Sequence, residues 1–171
     1  MKRVGTALMA AVALSMSQGV ADAAPAGATV ESFPVGFVLT SESCSNLPAG
    51  TTIEGTGTMK SITRTRTDAS GVTTIANTSI ATGTATDQDG NAYVFLYSNE
   101  FRVANSTADP DMFSGLMTDH FSLSGPGPAK LSNGFTARFT TDFAEFFNFD
   151  PIEAHGDPIS FPEGIGHCDP L

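Results

Sequence analysis

Apolar and polar residues alternate through much of the chain from residue 33 onward, and a period of two indicates β-strands. The apolar members of the clearest segments are Phe33, Val35, Phe37 and Leu39; Tyr93, Phe95, Tyr97, Phe101 and Val103; Met117, Phe121 and Leu123; and Phe135, Ala137, Phe139, Phe143 and Phe147. These positions are all odd-numbered, so each predicted strand has one apolar face. The adjacent Phe146 and Phe147 break the alternation, and a short helix over 144–149 is the alternative there.

Turn residues divide these segments and define the fold class. Asp68–Gly71, Asp87–Asn91 and Gly125–Pro128 contain the Gly, Pro, Asp and Asn residues that favour tight turns. About seven or eight strands result, and their apolar faces are hidden either by closing a barrel or by stacking two sheets. Small residues that can lie beneath bulky aromatic rings occur at Gly55, Gly57, Ala81, Gly83 and Ala85. We therefore predict an all-β fold with a single antiparallel β-barrel, and a β-sandwich as the alternative.

The first 23 residues have the three parts of a secretory signal peptide. Lys2 and Arg3 form a positive start, residues 7–16 are mostly apolar, and Ala21 to Ala23 fit the small-residue cleavage pattern. The apolar run is shorter than the about 20 residues needed to cross a bilayer, which leaves a retained membrane anchor as the alternative. We predict cleavage after Ala23, secretion, and one mature domain over 24–171.

Two cysteines, Cys44 and Cys168, lie near opposite ends of the mature chain. An isolated pair in an oxidising compartment usually forms a disulfide bond. This bond would tie back the Gly- and Pro-containing tail that begins near Pro151. Two free thiols, or pairing with another chain, are the alternatives.

The mature chain is strongly acidic, with six basic and 17 acidic residues and a net charge of −11. Nucleic-acid binding requires clustered Lys and Arg that displace counterions, so a nucleic-acid partner is excluded. The same charge disfavours binding to anionic lipid, and we expect no membrane association after signal cleavage. No pattern in the sequence defines an oligomeric state.

The segment Asp87–Asn91 resembles the start of a calcium loop. An EF-hand would place Gly and Glu where this chain has Ala92 and Ser98, so a plain β-turn is the prediction. A weakly bound surface calcium ion is the alternative.

Motifs for catalysis and metal binding are absent from the sequence. The three histidines, His120, His155 and His167, do not have the spacing of zinc ligands. The chain has no nucleophile elbow, phosphate loop or dinucleotide fingerprint. We predict no metal and no cofactor, and the absence of these motifs weighs against an enzyme.

The candidate binding residues are the aromatic and acidic side chains of the apolar parity. The aromatic members are Tyr93, Phe95, Tyr97, Phe121 and Phe139, and the acidic members are Asp119 and Glu145. If both carboxylates point inward, they enter an aromatic interior, which is unfavourable unless they are paired, hydrated or used to bind a ligand. The alternatives are a packed core for the aromatic residues, and strand ends that let the carboxylates reach water.

A turn and strand over 85–95, together with Cys44 and the terminal Gly166-His167-Cys168, resemble secreted bacterial proteins of small β-barrel type. In outline these are similar to allene oxide cyclase-like, dirigent-like and lipocalin-like barrels. The resemblance implies a barrel over most of the mature chain. None of those families' catalytic residues can be matched here, and the Gly-x-Trp signature of lipocalins is absent because the chain has no tryptophan.

Three classes of function are consistent with these features. The leading hypothesis is a secreted binding or accessory barrel for a small apolar molecule. The second is an extracellular structural or interaction protein with a filled core, and the third is a cyclase-like or isomerase-like enzyme acting inside the barrel. A ligand-sized cavity would separate the first from the second, and inward Asp119 and Glu145 beside it would favour the third.

Overall fold

A computed structural model describes residues 27–42, 44 and 47–156. The predicted signal peptide and Cys168 lie outside the described residues. The elements are seven strands: β1 (Ala28–Thr40), β2 (Thr52–Thr67), β3 (Thr73–Asp87), β4 (Ala92–Ala104), β5 (Phe113–Ser124), β6 (Leu131–Thr141) and β7 (Phe147–His155). They form one antiparallel sheet in which each strand pairs with the next along the chain. No helix in the described part of the chain is long and apolar enough to span a membrane.

Two predicted hairpin turns are present. Asp68 Oδ1 accepts hydrogen bonds from the backbone N–H groups of Ser70 and Val72, and Gly71 takes a φ of 90° in the same turn. The Asp87–Asn91 turn joins β3 to β4, with Gly90 at a φ of 83°. Both glycines have the left-handed conformation that other residues adopt with strain. These turns set the register of the long β2–β3–β4 ribbon.

Odd-numbered residues of β1 to β6 share one face of the sheet, as the alternation predicts. The strand pairing places them in rows that cross the sheet. One such row consists of Val35, Gly57, Gly83, Phe95, Leu123 and Leu131. We call this side the inner face, and the side that carries the even-numbered residues the outer face.

The sheet curls strongly around its inner face. The ring of Phe37 in β1 lies 4.9 Å from that of Phe95 in β4 and 5.6 Å from that of Phe121 in β5. In a flat sheet the backbones of β1 and β5 would be roughly 19 Å apart, because neighbouring strands are separated by about 4.8 Å. Glycines permit the close approach, since a Cβ at Gly55 would overlap the Phe37 ring and one at Gly83 would overlap the Phe95 ring.

The predicted barrel closure is not found. Within the described residues, β1 pairs only with β2 and β7 only with β6, so the sheet is open, and no second sheet is present. The all-β class and the single antiparallel sheet are confirmed. The closure argument assumed that the apolar faces had to be hidden by joining the two edges. Curling achieves much of that burial instead, because rings from β1, β4 and β5 cover one another.

The last long strand predicted from the sequence is divided in two. β6 ends at Thr141, and a turn leads into β7 at Phe147. The turn is held by Asp142 Oδ1, which accepts hydrogen bonds from three successive backbone N–H groups, those of Ala144, Glu145 and Phe146. Phe143 takes a φ of 59°, which ends the alternation. Residues 147–149 are β-strand, so the alternative of a helix over 144–149 is wrong as well.

Candidate functional site

The inner face has a densely packed apolar region at one end, which we call the dry end. Its members are Cys44, Leu47, Ile53, Ala81, Ala85, Tyr93, Phe95, Leu123, Ala129 and Leu131. Two predicted ligand-binding residues, Tyr93 and Phe95, belong to it and are only 2% and 5% exposed. Phe95 stacks on the half-buried Phe121 with a centroid separation of 6.3 Å. Tyr93 and Phe95 therefore form packed core, and Phe121 lies at its boundary.

Asp87 places a carboxylate in the dry end and uses both of its oxygens. Oδ1 accepts from the backbone N–H groups of Asp89 and Asn91, at 3.0 and 2.9 Å. Oδ2 accepts from the Asn91 side-chain amide at 2.8 Å and from the Tyr93 hydroxyl at 2.9 Å. These donors, with the Asn91 amide contributing most, lower the pKa of the Asp87 carboxyl below its usual value. Asp87 thus holds the β3–β4 turn against the core.

A band of polar side chains crosses the inner face beside the dry end. We call it the polar band, and its members are Ser61, Thr63, Asn77, Ser79, Tyr97, Asn99 and Asp119. The register places Ser79 opposite Asn99, and Asn99 opposite Asp119. All of its members are odd-numbered residues, so they lie on the inner face although their side chains are polar.

The β2–β3 half of the polar band is internally satisfied. The Asn77 amide donates to the Ser61 hydroxyl and to the Thr63 hydroxyl, both at 2.8 Å. The Ser79 hydroxyl donates to Asn77 Oδ1 at 2.9 Å. Asn77 and Ser79 are each 9% exposed, whereas Ser61 and Thr63 are half-buried. The polar groups of this half of the band thus bind one another.

Asp119 forms the other half of the polar band, and its hydrogen bonding is one-sided. Oδ2 accepts from the Tyr97 hydroxyl at 2.6 Å and from the Asn99 amide at 3.0 Å. Oδ1 accepts no hydrogen bond from any described residue. Burial raises the pKa of the Asp119 carboxyl despite these two donors, and burial together with the nearby Asp119 charge raises the pKa of the Tyr97 hydroxyl. Both side chains remain partly exposed, so a ligand can reach them.

A second aromatic group flanks the polar band on the side away from the dry end. We call it the aromatic end; it consists of Phe101, Phe135, Phe139, Phe147 and Phe149. The Phe101 and Phe139 rings meet edge to face at a centroid distance of 5.7 Å, and those of Phe135 and Phe149 at 5.3 Å. Phe139, a predicted ligand-binding residue, is 3% exposed and packs within this group. Phe135 lies directly opposite Asp119 in the register.

Basic side chains are excluded from the inner face. The five that lie in strands are at even positions: Lys60, Arg64 and Arg66 in β2, Arg102 in β4 and Arg138 in β6. Lys130 lies in the loop before β6, and all six are exposed. Asp119 therefore has neutral partners only, Tyr97 and Asn99, for its hydrogen bonds.

Glu145 is not brought to the site. It lies in the exposed turn between β6 and β7, where its backbone N–H donates to Asp142 Oδ1 at 3.0 Å. Its predicted inward position assumed an unbroken strand, and the turn at 142–146 removes that parity. The two carboxylates considered together in the sequence are thus separated, and only Asp119 lies on the inner face.

Several members of the polar band were not identified from the sequence. Asn99 lies between Tyr97 and Phe101 and has the same parity. A polar residue between two inward-facing aromatic residues is a signal from which Asn99 could have been predicted to lie on the inner face. Asn77 fits the glycosylation acceptor pattern with Ser79, and its side chain is instead buried and hydrogen-bonded within the sheet. Thr and Ser are common on both faces of strands, so Ser61 and Thr63 gave no comparable signal.

The described residues contain no group of three or more His, Cys, Asp or Glu side chains arranged to hold a metal ion. No protein-family model, curated protein or solved structure matches the chain. The similarity to small secreted barrels therefore stays a prediction, and the inner face has to be interpreted from its own chemistry.

Proposed function

We propose that the protein is a secreted binding protein that holds a small, largely apolar molecule on the inner face of its curled sheet. The observation that carries this proposal is the open oxygen of Asp119, which lies in a partly exposed polar band between two aromatic regions. Ligand sites commonly combine apolar walls with a few placed polar groups. The polar band and its flanks have that composition.

The alternative hypothesis, a structural protein with a filled core, explains the dry end but does not explain the polar band. In the dry end every member is buried, and Asp87 has donors on both oxygens. In the polar band the Asp119 carboxyl is partly desolvated, and its Oδ1 accepts no hydrogen bond from the residues that the structure describes. A partly buried carboxylate whose hydrogen-bond donors are all neutral is unfavourable, and binding sites are a common place for such a group. This contrast favours binding over a filled core.

The enzyme hypothesis has less support. It relied on Asp119 and Glu145 acting together inside the structure, and Glu145 lies in an exposed turn. The signal peptide and the Cys44–Cys168 disulfide remain predictions that agree with a secreted protein. Cys44 itself is fully buried in the dry end.

The test is saturable binding of a neutral apolar fluorophore, N-phenyl-1-naphthylamine, to the mature protein. We expect one site per chain. Asn99→Phe should abolish binding by filling the polar band, while Glu100→Phe, the outward-facing neighbour in β4, should leave it unchanged. Non-saturable uptake, or equal binding by the Asn99→Phe variant and the wild type, would contradict the proposal.

A further inference from the structure

We infer that the ligand of the inner face is an organic cation, an apolar body carrying a protonated amine that donates to Asp119 Oδ1. This inference rests on the proposed function and specifies its ligand class. Three separate features of the structure support it: the distribution of charge, the geometry at Asp119, and the aromatic surroundings.

The distribution of charge favours a cation over an anion or a neutral molecule. Every Lys and Arg of the mature chain is exposed, and the five in strands point to the outer face. The inner face carries carboxylates, and the mature chain has a net charge of −11. An anionic ligand would meet like charge with no counter-ion, whereas a cation would be attracted to the face.

The hydrogen bonding of Asp119 leaves Oδ1 without a donor among the described residues. Tyr97 and Asn99 both donate to Oδ2, at 2.6 and 3.0 Å, and both are neutral. They satisfy one oxygen without balancing the charge of the carboxylate. An ammonium group at Oδ1 would supply a charge-assisted hydrogen bond and a directly bonded countercharge, in addition to the weaker favourable charge interaction with His120.

The aromatic residues around Asp119 suit the same ligand class. Phe121 follows Asp119 by two residues on the same face of β5 and is half-buried. Tyr97, also half-buried, lies opposite Phe121 in β4. Aromatic faces attract organic cations, and the apolar body of the ligand can lie against the partly exposed rings of Phe121 and Tyr97.

The experiment compares three probes that share an aromatic body: 2-phenylethylamine, 2-phenylethanol and 3-phenylpropionate. Amide chemical shifts of the mature protein are followed during titration at pH 7. We expect the amine to bind about tenfold more tightly than the alcohol, since a hydrogen bond between two charged groups is stronger than one from a neutral hydroxyl. The carboxylate should bind more weakly than the alcohol.

The matched variants are Asp119→Asn and Asp111→Asn, the latter at an exposed carboxylate in the β4–β5 loop. Asp119→Asn should reduce amine affinity about tenfold and leave alcohol affinity within about twofold. Asp111→Asn should change neither. The ranking of the three probes on the unmodified protein tests the inference independently of any effect of substitution on folding.

The outcomes separate the inference from the function on which it rests. If the alcohol binds as tightly as the amine, or if Asp119→Asn retains full amine affinity, the cation inference is overturned and an apolar binding site stands. If neither the three probes nor the neutral fluorophore binds, the proposed function itself fails.

Discussion

Asp87 and Asp119 both lie on the inner face, and their surroundings differ in kind. Asp87 receives four hydrogen bonds over both oxygens, two of them from backbone N–H groups in its own turn. Asp119 receives two, both on one oxygen and both from side chains of β4. The pKa of the first carboxyl is lowered and that of the second is raised.

The difference shows that depth of burial does not by itself decide how a carboxyl behaves. Asp87 is almost fully buried, at 7% exposure, yet its donors outweigh desolvation and favour the charged form. Asp119 is more exposed, yet its two donors do not outweigh desolvation. Asp87 uses both oxygens in hydrogen bonds within the fold, whereas Asp119 Oδ1 accepts none from the described residues.

The largest expected effect tests whether stability is concentrated in the dry end. Leu123→Ala should reduce the free energy of unfolding by about 2–5 kcal/mol, because Leu123 is fully buried and its removal leaves a cavity. Leu116→Ala, in the same strand but half exposed on the outer face, should change it by less than about 0.5 kcal/mol. Urea denaturation of both variants measures the difference, and similar losses would place the stabilising core elsewhere.

A smaller effect is expected from exchanging each carboxyl for an amide. Asp87→Asn should lower the Tm by about 5 °C at pH 7, since two backbone N–H groups and the Tyr93 hydroxyl lose a charged acceptor. Asp119→Asn should leave the Tm unchanged or raise it, because it removes a partly desolvated charge. Thermal denaturation followed by circular dichroism distinguishes the two, and a comparable fall in both variants would contradict the comparison.

The same pair of variants should show opposite pH dependence. Because the folded pKa of Asp87 is lowered, its stabilisation is complete above the unfolded pKa of about 3.9 and is lost as the pH falls through the folded pKa. Because the folded pKa of Asp119 is raised, ionisation destabilises the fold as the pH rises above about 3.9, fully so above the folded pKa. Relative to wild type, Asp87→Asn should therefore become more stable as the pH falls, and Asp119→Asn should become less stable. Urea denaturation of the three proteins across a pH series measures both changes, and a change of the same sign in both variants would contradict the comparison.

Effects of the same size or smaller are expected from the two tyrosine hydroxyls that donate to these carboxylates. Tyr93→Phe should destabilise the protein by about 1–2 kcal/mol, because the hydroxyl is buried and its loss removes one donor from Asp87. Tyr97→Phe should cost less than about 1 kcal/mol, since Asn99 still donates to Asp119 and water can reach the partly exposed site. Guanidinium denaturation of the two variants gives the ranking, and a larger loss for Tyr97→Phe would reverse it.

Local patterns accounted for the strands and their facing. The odd parity of Phe95 and Phe121 was sufficient to place both rings on one face, and the Gly90 turn was sufficient to place β3 beside β4. These features depend on neighbours in sequence, so alternation and turn chemistry carry them. The closure of the sheet depends on how far it curls, which the alternation does not encode.

The candidate site was predicted only in part. Asp119 and Tyr97 share the predicted parity and meet through a hydrogen bond of 2.6 Å. Glu145 has the same parity, but Asp142 holds a turn just before it through three backbone hydrogen bonds. Distinguishing such a turn from a continuing strand requires knowing which backbone groups Asp142 reaches, and that information lies in three dimensions.

The placement of every strand-borne arginine and lysine on the outer face also bears on how the chain avoids misfolding. A slip of one residue in β2, β4 or β6 would turn Arg64, Arg102 or Arg138 from the outer face to the inner face, where the described strands carry no Lys or Arg. Each of the six strand pairings contains one of these three strands. A misaligned strand pair would bury a positive charge, so these side chains disfavour incorrect registers while the sheet forms.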